Sequence, residues 1–362
     1  MGMHFSIDQK SLAGALDKIA AATESKHQLN IYRAIQVHVA NKWVTLMATS
    51  PTMTASLAFE VDVPGPLTPV AFGVSQELFS KVVHALPSGA LSFTIENASL
   101  HVSTPSSEFK LNLISPEAFP PARDFNNVSY SAVDMPFLLY SLGKVSYCRN
   151  PGADRPRFRC VYLDHEHFTA TDGYRLSIFP NKVGYAPMSE TLMSSDTVDR
   201  LQKIFSGCGK EGGIFVSEHE VVLAQGTTQV AVRTLAETYP QYKSVIPVSK
   251  ATRVVFERKD LLAALRRVLI VAEKTRLVDM NLTPAGLSLL SNSSESGSAG
   301  ETIFCDVTDF KEIGVTVNGD FALDALKAMD QDKVVLELRS PEVSIVFTDG
   351  EHINVIQPVR RD

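Results

Sequence analysis

One tryptophan and four cysteines stand among 362 residues, and the cysteines (Cys148, Cys160, Cys208, Cys305) share no Cys-x-x-Cys spacing. That scatter predicts reduced thiols in a cytosolic protein and argues against a disulfide frame or a zinc site. No apolar run approaches the ~18 residues that a membrane-spanning helix needs. The opening segment MGMHFSID (Met1–Asp8) lacks the basic region and apolar core expected of an export signal. The formal net charge is −6, which argues against a chain coated in basic charge but leaves room for a basic patch. What is present is ordinary for a globular chain: 44% of residues are hydrophobic and 20% charged, which excludes wholesale disorder. The length suits two or three domains, each able to bury its own core.

Catalytic signatures are equally scarce. No phosphate-binding G-x-x-x-x-G-K-[ST], nucleophile elbow G-x-S-x-G or H-E-x-x-H occurs. Gly207-Cys-Gly209-Lys-Glu-Gly212 matches G-x-G-x-x-G, but it follows a predicted helix and leads into a strand. The dinucleotide reading needs the opposite order, so a helix-to-strand turn is expected. Asp164-His165-Glu166-His167 has the composition of a metal cluster. It lies between two strand-like runs, where a polar hairpin turn is expected. Ser291 to Gly300 (SNSSESGSAG) reads as a flexible loop. These observations point to a binding or scaffolding protein with no cofactor and no metal, not an enzyme.

An internal repeat organises the chain. FSIDQKSLAGAL (Phe5–Leu16), YSAVDMPFLLYSL (Tyr130–Leu142) and VVFERKDLLAAL (Val254–Leu265) each read as a short strand, a polar residue and an amphipathic helix. The aligned Leu12, Leu138 and Leu261 lie 126 and 123 positions apart, and each is followed four residues later by another leucine, as one helix face requires. A second helix recurs at Val74–Leu86, Met193–Phe205 and Val317–Met329, each with a Ser, Asn or Asp able to cap its N-terminus. Alternating hairpins close each repeat, at 99–113, 220–234 and 343–356, with turn residues such as Asp349-Gly350 between their strands. The expected fold is α+β: three tandem copies of a two-helix, antiparallel-sheet domain, at residues 1–125, 126–250 and 251–362. The connectors would be Pro116–Arg123 and Pro247–Thr252.

The predicted helices cover 8–22, 76–86, 134–149, 196–205, 257–276 and 320–330, and carry 14 Lys and Arg against 12 Asp and Glu. Mildly basic helices on an acidic body suit a surface that meets a polyanion without gripping it. Solvated helix faces would give the same count.

ATDGYRL (Ala170–Leu176) resembles the A-T-D-G-[HY]-R-L signature of bacterial sliding clamps, the β subunit of the replicative DNA polymerase III. Supporting pieces follow in order: YPQYKSVIP (Tyr239–Pro247), EKTR (Glu273–Arg276) and VIQPVR (Val355–Arg360) resemble the family's later motifs. The resemblance spans essentially the whole chain. It implies the DNA clamp fold and a head-to-tail homodimeric ring that encircles duplex DNA without sequence specificity. Such a ring tethers DNA polymerase III and other polymerases, giving processivity. Further implied partners are an ATP-dependent clamp loader and mismatch-repair and ligase-type proteins, acting in the cytoplasm at the nucleoid, with no membrane.

The resemblance also carries residues. A partner-peptide pocket would be formed by Phe158, Thr171, Gly173, Tyr174, Arg175, Leu176, Pro240, Val245, Phe321, Ser344, Val355, Gln357, Pro358 and Val359. Its apolar walls would take Leu and Phe anchors, while Arg175 and Ser344 would orient the peptide backbone. The ring interface would set Phe109 and Leu111, on an edge strand, against Leu269 and Ile270 on a facing helix. DNA would be met by Lys26 and Asn150, with Lys10, Arg149, Lys203 and Arg266 following from helix placement. The chain departs from the family pattern at Glu77 and Ser195-Asp196, where basic residues are common, and at Gln357, which replaces a methionine. It also has a lengthened loop from Asn150 to Pro156 and ends one residue late, at Asp362. A divergent paralogue serving repair or drug tolerance is the alternative implied by the same resemblance, and partner-peptide affinity separates the two.

Overall fold

A computed structural model describes residues 3–61, 69–121, 123–150, 152–184, 190–272 and 274–360. Ala122 of the first connector, Pro151 of the lengthened loop, Glu273 of EKTR, and Arg361 and Asp362 lie outside the described residues.

The repeat expected from the sequence is built three times in the same order. The first copy runs β1 (Met3–Asp8), α1 (Gln9–Ala20), β2 (Ala34–Ala40), β3 (Trp43–Thr49), β4 (Met53–Glu60), β5 (Val70–Ser75), α2 (Gln76–Ala85), β6 (Ala90–Glu96), β7 (Ser99–Thr104) and β8 (Ser107–Asn112). The second has β9 (Ser131–Asp134), α3 (Met135–Ser146), β10 (Cys160–Leu163), β11 (His167–Thr171), β12 (Arg175–Pro180), β13 (Thr191–Ser194), α4 (Ser195–Ile204), β14 (Glu211–Val216), β15 (Glu220–Gln225) and β16 (Thr228–Arg233). The third has β17 (Thr252–Glu257), α5 (Arg258–Val268), β18 (Leu277–Thr283), β19 (Gly286–Ser293), β20 (Gly297–Ile303), an extra short β21 (Asp306–Thr308), β22 (Ile313–Asn318), α6 (Gly319–Ala328), β23 (Lys333–Leu338), β24 (Ile345–Asp349) and β25 (His352–Ile356).

The helices form where the sequence places capping oxygens and apolar stripes. Asp8 accepts the Ser11 amide at 3.0 Å, Asp134 that of Phe137 at 3.0 Å, and Asn318 that of Asp320 at 2.9 Å. Each satisfies an amide that the first turn leaves without a partner. The repeated leucines Leu12, Leu16, Leu138, Leu142, Leu261 and Leu265 are all buried, each contributing about 1.5–3 kcal/mol relative to an exposed position.

Two compact units result. One holds the described residues up to Leu139, with Val183, Gly184 and Asp196–Thr234. The other holds Tyr140–Lys182, Glu190–Ser195 and the described residues from Leu235 onward. In the first unit β5-β2-β3-β4 continues through β16-β15-β14-β9 as one eight-stranded sheet. In the second, β13-β10-β11-β12 continues through β25-β24-β23-β17, with β21 at the edge. The two junctions are equivalent: the fourth strand of one copy pairs antiparallel with the last strand of the next, β4 with β16 and β12 with β25. The remaining four-stranded sheets, β1-β6-β7-β8 in the first unit and β20-β19-β18-β22 in the second, end on β8 and β20, the counterparts of these junction strands.

Three expectations need correction. Helix α5 stops at Val268, not at 276. Arg276, in the left-handed region at φ 53°, donates its Nη1 to the Leu269 carbonyl at 2.8 Å, so the chain turns back there. Leu269 and Ile270 therefore follow the helix instead of lying on it. Helix α3 ends at Ser146, which leaves Arg149 and Asn150 beyond it, in the irregular segment before β10. Asn150 precedes a proline, which biases it away from helical backbone. Finally, Ser291–Gly300 is a β-hairpin, with Ser291 opposite Ala299 and Ser293 opposite Gly297. Ser293 Oγ accepts the Glu295 and Ser296 amides, so polar side chains build the turn that their composition had suggested was a loop. Within the observed bounds the six helices carry eleven Lys and Arg against seven Asp and Glu, a net of +4. Among the described residues no helix is long and apolar enough to cross a membrane.

Candidate functional site

In the second unit a cavity of about 110 Å³ is lined by Thr171, Gly173, Tyr174, Arg175, Leu176, Val245, Ser344, Val355 and Gln357. All nine belong to the pocket expected from the sequence, although they span 187 positions of the chain. The β12–β25 junction brings them together: Leu176 pairs with Val355, and Arg175 with Ile356. The β11–β12 turn supplies Gly173 and Tyr174, the 3₁₀ turn Tyr242–Val245 supplies Val245, and Ser344 stands just before β24. Asp172 Oδ1 accepts the amides of Tyr174 and Arg175, both at 2.9 Å, and Gly173 takes φ 93°, which a side chain would strain. Tyr174 is thereby left 62% exposed at the rim, and its carbonyl accepts the Gln357 amide at 2.9 Å.

The remaining candidates do not line the cavity. Phe158 lies beneath the turn, within ordinary contact distance of a side chain at Gly173. Phe321 lies under the Arg175 guanidinium, 4.4 Å from ring centroid to Cζ. Pro240 and Pro358 are half-buried nearby in sequence. Val359 is turned aside: its amide donates to the Thr316 carbonyl, and it lines a separate cleft of about 650 Å³ with Asp279, Asn281, Thr316, Glu342 and Arg360.

Arg175 is the electrostatic centre of the site. Its Nε donates to Asp172 Oδ2 and its Nη1 to Asp324 Oδ2, both at 2.9 Å, while Nη2 reaches the Tyr147 carbonyl at 3.3 Å. Its side chain is 10% exposed. The guanidinium sought as a peptide-orienting group is thus largely committed within the protein, because a buried cation needs partners on its donors. Sequence reasoning missed Asp324 and Tyr147. Asp324 lies 149 positions from Arg175 with no motif around it, so no local signal could have found it.

The proposed interface residues divide. Phe109 is 36% exposed on β8, an edge strand as expected, and Ile270 is 78% exposed. Leu111 and Leu269 are buried, at 4% and 2%. Among the DNA candidates, Lys10 on α1, Lys26, Lys203 on α4 and Arg266 on α5 are exposed. Lys203 borders a cleft of about 800 Å³ with Lys18, Asp17 and Asp199. Arg149 is half-buried, and Asn150 Oδ1 accepts the Gly152 amide at 3.0 Å.

The turn between β10 and β11 is the candidate metal cluster of the sequence. Asp164 Oδ1 accepts the amides of Glu166 and His167 at 2.7 and 2.6 Å, which makes the segment a hairpin turn. The glycine-rich Gly207–Gly212 segment leads from α4 through a turn into β14, which begins at Glu211.

Three tandem copies whose sheets join end to end define the class of the DNA clamps. The comparisons agree. The DNA polymerase III beta subunit N-terminal domain matches residues 3–123, and its C-terminal domain matches residues 243–359. The beta sliding clamp of Streptococcus pneumoniae is 21% identical, with 99% of each chain covered. That of Caulobacter vibrioides is 23% identical over 99% of this chain and 96% of the other. Among solved structures, the DnaN sliding clamp of Pseudomonas aeruginosa bound to griselimycin superimposes with a TM-score of 0.91 at 19% identity, covering all of both chains. The Bartonella birtlesii clamp bound to the same compound gives 0.92 at 20% identity, also over both whole chains. This chain belongs to the DNA polymerase III beta subunit family.

Proposed function

We propose that the protein is a processivity factor, a sliding clamp that closes around duplex DNA as a head-to-tail homodimer and docks partner proteins through the Tyr174–Val245 cavity. The observation that carries the ring is the pair of unmatched junction strands. β4–β16 and β12–β25 are satisfied within the chain, whereas their counterparts β20 and β8 end their sheets without a partner strand among the described residues. An exposed edge is a template for another strand. Joining β20 of one subunit to β8 of a second, twice over, repeats the same junction and closes six copies into a ring. We take the domain limits as 1–125, 126–250 and 251–362.

A ring holds DNA by topology, so its contacts need only be weak and sequence-blind. The modest positive balance of the helices suits that need, with Lys10, Lys26, Arg149, Asn150, Lys203 and Arg266 as the candidate contacts. The cavity, walled by Leu176, Val245 and Val355, suits an extended peptide with Leu and Phe anchors. Polymerases would dock there, as would mismatch-repair and ligase-type proteins. Loading would fall to a separate ATP-dependent protein, and the clamp itself would catalyse nothing.

Light scattering at micromolar protein tests the ring. Wild type should have twice the 39.5 kDa chain mass, and Phe109→Asp or Ile270→Asp should yield folded monomers. A wild-type monomer at tens of micromolar would overturn the reading. So would equal loss of loaded protein from nicked circular and linear duplex DNA.

A further inference from the structure

The Asp164–His167 turn does more than connect β10 to β11. Asp164 is buried, and its Oδ2 accepts the hydroxyl of Tyr242 at 2.7 Å. His167 Nδ1 lies 3.1 Å from the same hydroxyl, so Tyr242 donates to the carboxylate and accepts from the imidazole. Burial first, and then the Asp164 carboxylate, push the Tyr242 hydroxyl well up, which keeps it a donor. The ring stands edge-on to Tyr162 and Tyr239, which stack at 4.5 Å between centroids. Lys243 adds an ion pair to Glu166 of the same turn.

Tyr242 opens a single 3₁₀ turn, Tyr242–Val245, whose last residue is 53% exposed on the cavity wall. Such a turn has poor internal hydrogen bonding and few ways to hold its own shape. Inside it, Ser244 donates its amide and its hydroxyl to the Gln241 carbonyl at 3.1 and 2.7 Å, and the Ile246 amide reaches Lys243 at 3.4 Å. Of its external anchors Tyr242 is the buried one, the Lys243–Glu166 pair being exposed on both sides.

We propose that Tyr242, latched by Asp164 and His167, is a positioning residue that fixes Val245 as one wall of the cavity and so sets the affinity for an occupant it does not touch. This rests on reading the cavity as a peptide pocket. The physical ground is that a wall carried on one weak turn is only as well placed as the anchor holding it.

The test uses Tyr242→Phe, which keeps the ring and removes the hydroxyl. Asp164→Asn, which keeps an acceptor for the turn amides, is a second variant should the first fold poorly. The probe is a fluorescein-labelled synthetic hexapeptide, Gly-Ser-Leu-Ser-Leu-Phe. Affinity should fall about tenfold in Tyr242→Phe, but by less than about twofold when the same change is made in a Val245→Ala background. Amide exchange at Ser244 and Ile246 should quicken about tenfold while the strands keep their protection. Unchanged exchange overturns the latch, whatever the peptide does. An affinity loss that is equal in both backgrounds, or absent, overturns the positioning role. A wild-type protein that binds no peptide overturns the pocket reading and the inference that rests on it, a result distinct from flat exchange.

Discussion

Arg175 joins Asp324 across 149 positions of sequence, Nη1 to Oδ2 at 2.9 Å, and in doing so ties the ATDGYR turn to helix α6. Its second carboxylate, Asp172, is itself buried. The same guanidinium covers the Phe321 ring. One side chain thus couples the rim of the cavity to the helix behind it.

Removing that cation should leave two carboxylates with nothing between them. Arg175→Met is expected to destabilise the protein by about 3 kcal/mol, the range found when one partner of a buried pair is lost. Asp324→Asn should cost only about 1 kcal/mol, since Asp324 is 36% exposed and partly screened by solvent. Urea unfolding of the two variants measures both. Equal costs would mean that Asp172 does not need the arginine charge.

Leu269 and Ile270 are neighbours in sequence with opposite surroundings. Leu269 is packed so tightly that a Cβ added at Gly319 would lie 2.7 Å from its Cδ2 and equally close to Val278 Cγ2. Gly319→Ala should therefore cost about 1–3 kcal/mol by overpacking. Leu269→Asp should cost more than about 4 kcal/mol by burying a charge, and lower the melting temperature outright. Ile270→Asp should leave the melting temperature of the dissociated chain within a few degrees of wild type, by about 0.5 kcal/mol or less. Differential scanning fluorimetry on dilute protein separates the three, and comparable losses at 269 and 270 would contradict the burial contrast.

His352 should make the protein acid-sensitive. It is 2% exposed, and its Nε2 lies 2.9 Å from Ser177 Oγ, beneath Phe179. Burial, with Lys144 adding to it, pushes the imidazole down to about 4. The folded state then binds fewer protons than the unfolded one between the ordinary histidine value of about 6.5 and about 4. Stability should be unaffected by this group above pH 6.5 and fall with decreasing pH across that window, by about 3 kcal/mol in all. Chemical unfolding at successive pH values should show a shallower fall in His352→Gln than in wild type. Parallel curves would show that the buried imidazole is protonated without penalty.

The repeat was legible because it is written in local terms. Leucines four apart, capping residues before them, and alternating hairpins with Pro, Ser or Gly turns are decided by neighbours in sequence, and all six helices formed where that pattern placed them. The hairpin strands were found to within three residues at each end. The ends of α3 and α5 were misjudged for a related reason. The apolar pattern runs past Val268, yet the helix stops because Arg276 takes the Leu269 carbonyl and pairs through Nε and Nη2 with Asp320 at 2.8 and 2.7 Å. The partner that ends α5 lies on another helix. The Ser291–Gly300 hairpin was hidden because an edge strand has no obligation to be apolar on both faces, and β20 is exposed over most of its length.

The candidate site shows the same division. The ATDGYR turn could be recognised alone, since Asp172 and Gly173 build it from their own backbone and side chains. The cavity's residues could be named only through the family resemblance, because its walls come from β12, β25 and the Tyr242–Val245 turn, brought together only when the sheet closes between β12 and β25. By itself the sequence determined the elements, their threefold order and the family resemblance, because local spacing and short motifs are set by residues a few positions apart. Only the tertiary structure decided that Arg175 serves Asp172 and Asp324, that Leu269 is core while Ile270 faces solvent, and that β8 and β20 remain open edges. Burial and charge pairing depend on which distant segments meet, and no local pattern encodes that meeting.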